Sequence, residues 1–186
     1  MDPDSGTSAS DWLAAVDERE LKQVLRKFGE ENNAARIARA IVGAREAAPI
    51  SRTAQLARIV EEASPKRGRK IHPATKTFQA IRIAINGELK QLEAVLAQSV
   101  NVMRKGGRLC VISFHSLEDR IVKHYFVDCE NPCTCPRDLP ECACGKEPTL
   151  RVVTRKIVKP RYAEIETNSR ARSAKLRVAE KLEPAN

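Results

Sequence analysis

The densest chemistry in the chain lies in one stretch, Cys129-x3-Cys133-x-Cys135-x6-Cys142-x-Cys144, interleaved with Pro132, Pro136 and Pro140. The N-terminus, Met1-Asp2-Pro3-Asp4-Ser5, has neither the basic nor the apolar region of a signal peptide. A cytoplasmic, reducing location is therefore expected, where clustered thiols point to a metal before a disulfide. Two Cys-x-Cys pairs facing each other across a turn offer four thiolates, Cys133, Cys135, Cys142 and Cys144, to a tetrahedral Zn²⁺. The usual spacing in structural zinc sites is Cys-x2-Cys, so a redox-inert loop of reduced thiols is the competing reading. Cys110 stands apart, inside an apolar run, and reads as core.

A second candidate is Ser113-Phe114-His115-Ser116-Leu117-Glu118-Asp119-Arg120, a turn between a strand pattern and a helix pattern. In open α/β sheets ligands gather at the carboxyl ends of strands. His115, Ser116 and the free N–H groups of the following helix are placed to hold a phosphate or a polar base edge. Ser116 with Asp119 also reads as a capping box.

Cations form three further groups. Lys66, Arg67, Arg69 and Lys70 fall in a Pro- and Gly-containing break, where they read either as a solvated loop or as phosphate contacts. Gln79, Arg82, Asn86 and Lys90 form a polar stripe at helical spacing. Asn168, Arg170 and Arg172 lead a run to Arg177 with cations two apart. In an extended chain these share one side and can follow a phosphate backbone, or protect a strand edge.

These groups need elements to position them. A short helix is expected around Trp12, Leu13 and Val16. Asp17-Glu18-Arg19-Glu20 reads as a capping box opening a helix with Leu21, Val24, Leu25 and Phe28 on one face, ended by Gly29. Ala34, Ile37, Ala38 and Ile41 form the next stripe. A further helix, capped by Ser51 or Thr53, is expected to bury Leu56, Ile59 and Val60. Residues 8 to about 64 thus read as a helical module. A long helical pattern over 74–103 presents Phe78, Ile81, Ile85, Leu89, Leu92 and Leu96, with an interruption at Gly87. After Gly106-Gly107 the run Arg108–Phe114 reads as a buried strand. The helix after it carries Leu117, Ile121, Val122 and Tyr125. That order is the pattern of an α/β sheet with parallel strands. Arg151–Val158 and Ala174–Ala179 read as later strands that can pair as an antiparallel hairpin beside the first.

Bulk composition narrows the function. The 186 residues carry a net charge of +9, so an anionic partner, nucleic acid first, is expected. Nothing approaches the ~20 apolar residues of a membrane span, and no membrane partner is expected. No Gly-x-Gly-x-x-Gly and no Walker loop occurs, and no Ser-His-Asp or Cys-His dyad is indicated, which argues against hydrolytic chemistry.

Four stretches resemble one known family. His72 to Leu89, Gly106-Gly107-Arg108 with Ile112 to Arg120, Asn168 to Arg177, and Phe28-Gly29-Glu30-Glu31 with Ile37 to Ile41 look like signatures of the ribosomal RNA small subunit methyltransferase H (MraW) family, in the same order. The resemblance implies transfer of a methyl group from S-adenosylmethionine to N4 of a cytidine in 16S rRNA of the small ribosomal subunit. It also implies an α/β fold, a Rossmann-like methyltransferase sheet with a mainly helical substrate-recognition domain inserted. Residues 1–85 correspond to that insert. Residues 86–186 correspond to the C-terminal part of the methyltransferase domain, with the Cys-rich loop at 129–144.

The family's Gly-rich loop, ribose-binding acid and Asp-containing strand end have no counterpart here. The chain is therefore expected to begin midway through the family pattern, to hold an incomplete sheet and to be inactive alone. No cofactor-binding residue and no proton-transfer residue is assigned. RNA contacts fall to Lys66, Arg67, Arg69, Lys70, Arg82, Asn86, His115, Ser116, Asn168, Arg170 and Arg172. A non-catalytic RNA-binding fragment and a small zinc-stabilised RNA-binding protein are the alternatives, and a homodimer is left open.

Overall fold

Capping residues and apolar stripes build two units, residues Met1–Glu88 and Leu89–Asn186, in the computed structural model. It describes residues 6–64, 72–136 and 142–183.

The first unit is helical. α1 (Ala9–Ala15) starts at Ser8, whose Oγ accepts from the Asp11 N–H. α2 (Glu18–Gly29) starts at Asp17, whose carboxylate accepts from the Glu20 N–H at 2.7 Å. α3 (Ala34–Ala47), α4 (Thr53–Ala63) and α5 (Thr75–Asn86) follow. Leu21, Leu25, Ile37, Ala38, Ile41 and Val60 are fully buried, as the stripes predict, while Ile59 packs at the core's margin. Arg45 spans from α3 to donate to the carbonyls of Leu13 and Val16, satisfying acceptors left open at the end of α1.

Two expected caps fall elsewhere. Gly29 is the last helical residue of α2, and Glu30 takes the left-handed conformation at φ 48°. Gly29 is needed for space instead: a Cβ there would lie 2.7 Å from the Lys76 carbonyl oxygen. Lys76 Nζ donates to the Glu30 carbonyl and Gln79 Nε2 to that of Phe28, so α5 side chains close the C-terminus of α2. Neither Ser51 nor Thr53 caps α4. Arg52 takes that place, and the Gln55 side chain accepts from the N–H groups of Ser51 and Arg52. The long helical pattern divides at Gly87, φ 60°, into α5 and α6 (Glu88–Val102). A positive φ is cheap only for glycine, so the interruption ends one helix rather than bending it.

The second unit packs α6 and α7 (Ser116–Glu130) with a three-stranded sheet of β1 (Arg108–Ser113), β2 (Leu150–Val152) and β3 (Lys175–Lys181). Its core is Leu96, Val100, Val122, Phe126, Leu150 and Ala179. The strand order is β1-β3-β2 and both pairings are antiparallel, so the two later strands pair with each other beside the first as expected, whereas the expectation of a sheet of parallel neighbours is corrected. β1 and β2 each oppose β3 and so run the same way. The strand–helix–strand pattern read from the sequence is therefore present, but split by the insertion of β3.

Charge helps set this register. Glu180 on the middle strand lies opposite Arg108 on one edge and Arg151 on the other, and its carboxylate reaches both guanidinium groups, at 3.5 and 2.7 Å. The expected strand Arg151–Val158 is cut short because Thr154 Oγ1 takes the Val178 N–H, and pairing returns only as a bridge between Val158 and Leu176. β1 is not buried on both faces. Leu109 and Val111 pack on the core, whereas Ile112 is 59 % exposed and Cys110, expected in the core, is exposed.

Candidate functional site

The turn from β1 to α7 is built around its own cap. His115 occupies the N-cap, and its Nδ1 accepts from the Glu118 N–H at 3.3 Å. Glu118 Oε2 reaches back to accept from the N–H groups of Phe114 (2.9 Å) and His115 (3.2 Å). The capping box is thus His115 with Glu118, not Ser116 with Asp119. With Nδ1 accepting, the ring proton sits on Nε2. That atom is buried, 3.3 Å from Glu118 Oε1 but outside hydrogen-bond geometry.

Partial burial raises the Glu118 pKa, but the adjacent His115 side chain and the N–H groups of Phe114 and His115 outweigh it and hold the carboxyl down to about 2. The turn therefore carries a fixed negative charge. A phosphate at this helix N-terminus meets that carboxylate, so the geometry favours a polar base edge over an anion.

Asp119 is used elsewhere. Its carboxylate accepts two hydrogen bonds from Arg177 on β3, at 2.7 and 3.1 Å. Arg177, the last cation of the C-terminal run, is buried and paired, and is not available to a phosphate. The rest of that run is not extended either. α8 (Tyr162–Thr167) leads into a 3-10 turn, Ser169–Ser173, entered at Asn168, whose Oδ1 accepts from the Arg170 N–H at 3.2 Å. Arg170 and Arg172 sit on this turn, exposed, and no carboxylate partners them among the described residues.

In the first unit, Arg82 and Asn86 meet on Glu88. Arg82 donates through Nε and Nη2 to Oε2, at 3.2 and 3.0 Å, and Asn86 Nδ2 donates to Oε1 at 3.1 Å. The Arg82 charge is therefore largely balanced. Lys66, Arg67, Arg69 and Lys70 lie outside the described residues.

The four cysteines converge. The sulfurs of Cys133, Cys135, Cys142 and Cys144 lie within 4.8 Å of one another. Cys142 Sγ is 3.5 Å from Cys133, 3.8 Å from Cys135 and 3.4 Å from Cys144. Backbone hydrogen bonds from Lys146 and Thr134 hold the Cys144 thiol down to about 6. Cys129 stays in α7, against the core of its unit.

Sequence reading missed Glu118, Glu88 and Glu130. Glu118 was legible as the N3 carboxylate of α7. Glu130, which accepts from the Val152 N–H and pairs with Arg155, has no local signal because its partners are more than twenty residues away.

The one adjacent glycine pair is spent on the sheet: the Gly106 N–H donates to Lys181 O at 2.9 Å, and Gly107 O accepts from the Lys181 N–H at 2.8 Å. A cavity of about 280 Å³ in the helical unit is lined by Leu13, Ala14, Arg45 and Ile50 among others.

The MraW methylase family model matches residues 1–182. The chain is 52 % identical over 184 residues to "Ribosomal RNA small subunit methyltransferase H" of Syntrophus aciditrophicus, covering 98 % of this chain and 58 % of that protein. Proteins of the same name from Desulforapulum autotrophicum (51 % over 182 residues, 96 % of this chain, 58 % of the relative) and Carboxydothermus hydrogenoformans (50 % over 183 residues, 98 % and 59 %) are similar to the same extent. The chain thus spans somewhat under three-fifths of the length of these relatives. Among the described residues no helix is long and apolar enough to cross a membrane.

Proposed function

The chain belongs to the MraW methylase family, and from that premise we propose that it supplies the RNA-facing part of a methyltransferase of the small-subunit rRNA. The methyl donor is S-adenosylmethionine and the acceptor is the exocyclic N4 of a cytidine in 16S rRNA. The observation that carries this reading is the family match over nearly the whole chain, joined to the methyltransferase name of relatives about half identical to it.

In this reading residues 1–85 form the helical substrate-recognition insert and residues 86–186 the C-terminal part of the methyltransferase domain. Arg170 and Arg172, exposed and without a carboxylate partner among the described residues, contact RNA phosphates, helped by Asn168, which shapes their turn. The net charge of +9 supports that role. Ser116 faces a base edge, since the ionised Glu118 beside it opposes an anion, and His115, its Nδ1 engaged and its Nε2 buried, shapes that turn. Arg82 and Asn86, tied to Glu88, orient the turn at Gly87 more than they neutralise phosphate.

The test is a chimera in which this chain replaces the matching residues of the Syntrophus aciditrophicus relative. It is incubated with labelled S-adenosylmethionine and small ribosomal subunits that lack the modification, and the rRNA is digested to nucleosides. Label in N4-methylcytidine is expected. Label in another nucleoside overturns the acceptor assignment, and a folded chimera that transfers nothing overturns the function.

The other reading is a non-catalytic RNA-binding chain, which the net charge of +9 also supports. Calorimetry of the chain alone with S-adenosylmethionine separates cofactor binding from RNA binding. No binding is expected, and a Kd below ~100 µM, better than roughly −5.5 kcal/mol, contradicts that expectation.

A further inference from the structure

We propose that Cys133, Cys135, Cys142 and Cys144 hold one structural Zn²⁺ as a four-thiolate site that closes the connection between α7 and β2. The geometry is the first argument. Zinc–thiolate bonds of about 2.3 Å in a tetrahedron place neighbouring sulfurs about 3.8 Å apart. The three sulfur contacts of Cys142 are 3.5, 3.8 and 3.4 Å, and all four sulfurs lie within 4.8 Å of one another. A disulfide needs about 2.05 Å, and all six cysteines are free.

The surroundings are the second argument. The backbone of Thr134 and Lys146 hydrogen-bonds to Cys144, which orients its sulfur toward the other three. Among the described residues no carboxylate or imidazole joins the four sulfurs in the group, so the donor set there is all soft sulfur, the choice of zinc among the redox-inert ions. Binding releases the protons of whichever thiols are not already ionised, and no electron is transferred.

Position gives the site its purpose. The chain leaves α7 at Glu130 and enters β2 at Leu150. The base of this excursion is already tied: the Thr149 N–H donates to the Cys129 carbonyl at 2.9 Å, and the Val152 N–H to Glu130 Oε1 at 2.9 Å. Among the described residues of the excursion nothing apolar joins the core until Leu150. The metal supplies the cross-link that burial does not, and fixes the loop without being needed for the sheet.

The experiment uses the whole chain, purified under reducing conditions without chelator. Elemental analysis is expected to find about one zinc per chain, and Co²⁺ replacement to give the intense charge-transfer and d–d bands of a tetrahedral thiolate site. Cys142→Ser is expected to lower bound zinc about tenfold or more, while Cys110→Ser and Cys129→Ser keep it. Zinc removal is expected to open residues 131–148 to proteolysis with the far-ultraviolet helix signal unchanged. Failure to take up either metal, protein isolated with these thiols as disulfides, iron in place of zinc, or equal loss in Cys129→Ser overturns the proposal. The Co²⁺ spectrum of the unsubstituted chain decides the matter even if Cys142→Ser does not fold. It reads no methyl transfer and so stands or falls apart from the activity.

Discussion

Arg177 on the middle strand grips Asp119 on α7 through two hydrogen bonds, 2.7 and 3.1 Å long, with the side chains only 10 % and 16 % exposed. The planar fork fits the carboxylate, and each charge is tolerated inside because the other is there. Asp119→Ala or Arg177→Ala alone is expected to cost about 3–5 kcal/mol, since one charge is left buried and unpaired. The double variant Asp119→Leu with Arg177→Met is expected to recover most of that loss. Urea unfolding of the three proteins measures it. A double variant no better than the singles argues against the coupling.

Gly29 and Gly43 make a matched pair. A methyl at Gly29 meets the Lys76 carbonyl oxygen at 2.7 Å, a backbone atom that cannot swing aside, whereas one at Gly43 meets nothing within 4 Å. Gly29→Ala is expected to destabilise by about 1–3 kcal/mol through overpacking. Gly43→Ala, inside α3, is expected to stabilise by up to about 1 kcal/mol through helix propensity. Thermal unfolding compares the two, and the same sign for both changes refutes the close-contact role of Gly29.

Glu118 gives the molecule an acid-sensitive cap. Its folded pKa, about 2, lies below the ordinary 4.5, because the bonds from His115 and Phe114 outweigh partial burial. A depressed carboxyl pKa contributes stability that is complete above the unfolded value and fades as pH falls toward the folded one. Stability is therefore expected to drop between about pH 5 and about pH 2, and to drop less in Glu118→Gln. Denaturant midpoints taken across that range check it, and identical pH profiles for the two proteins count against the cap.

The two groups of cations proposed to face RNA are expected to differ. Arg170 and Arg172 have no carboxylate partner among the described residues, whereas Arg82 is held by Glu88. Replacing both Arg170 and Arg172 with Ala is expected to reduce the slope of log affinity against log salt for an rRNA fragment by about 1.4, at about 0.7 per phosphate on single strands. Arg82→Ala is expected to change it by less than one contact's worth. A filter-binding salt series reads both slopes, and an unchanged slope in the double variant removes the 3-10 turn from the RNA surface.

The legible features were those whose cause is local. Leu21, Leu25, Ile37 and Ile41 announce their buried faces by spacing alone, and Asp17 caps α2 because its own carboxylate reaches the next turn. Gly87 marked a break because a left-handed residue costs little only at glycine. The capping box of α7 was misplaced by one residue because Ser116 is the commoner cap type, and only the backbone of His115, extended at φ −130°, identifies the real one.

The helices, the strand segments, the charge and the cysteine spacing follow from the sequence by itself, because each depends on neighbours within a few positions. Tertiary structure decided that β3 enters between β1 and β2, that Arg177 is buried on Asp119 rather than offered to RNA, and that four thiols meet at one point. These outcomes depend on pairing residues that lie apart in the chain. Periodicity carries no information about which distant partner a strand or a charge will find; that is chosen by the burial and hydrogen bonding that the whole chain satisfies at once.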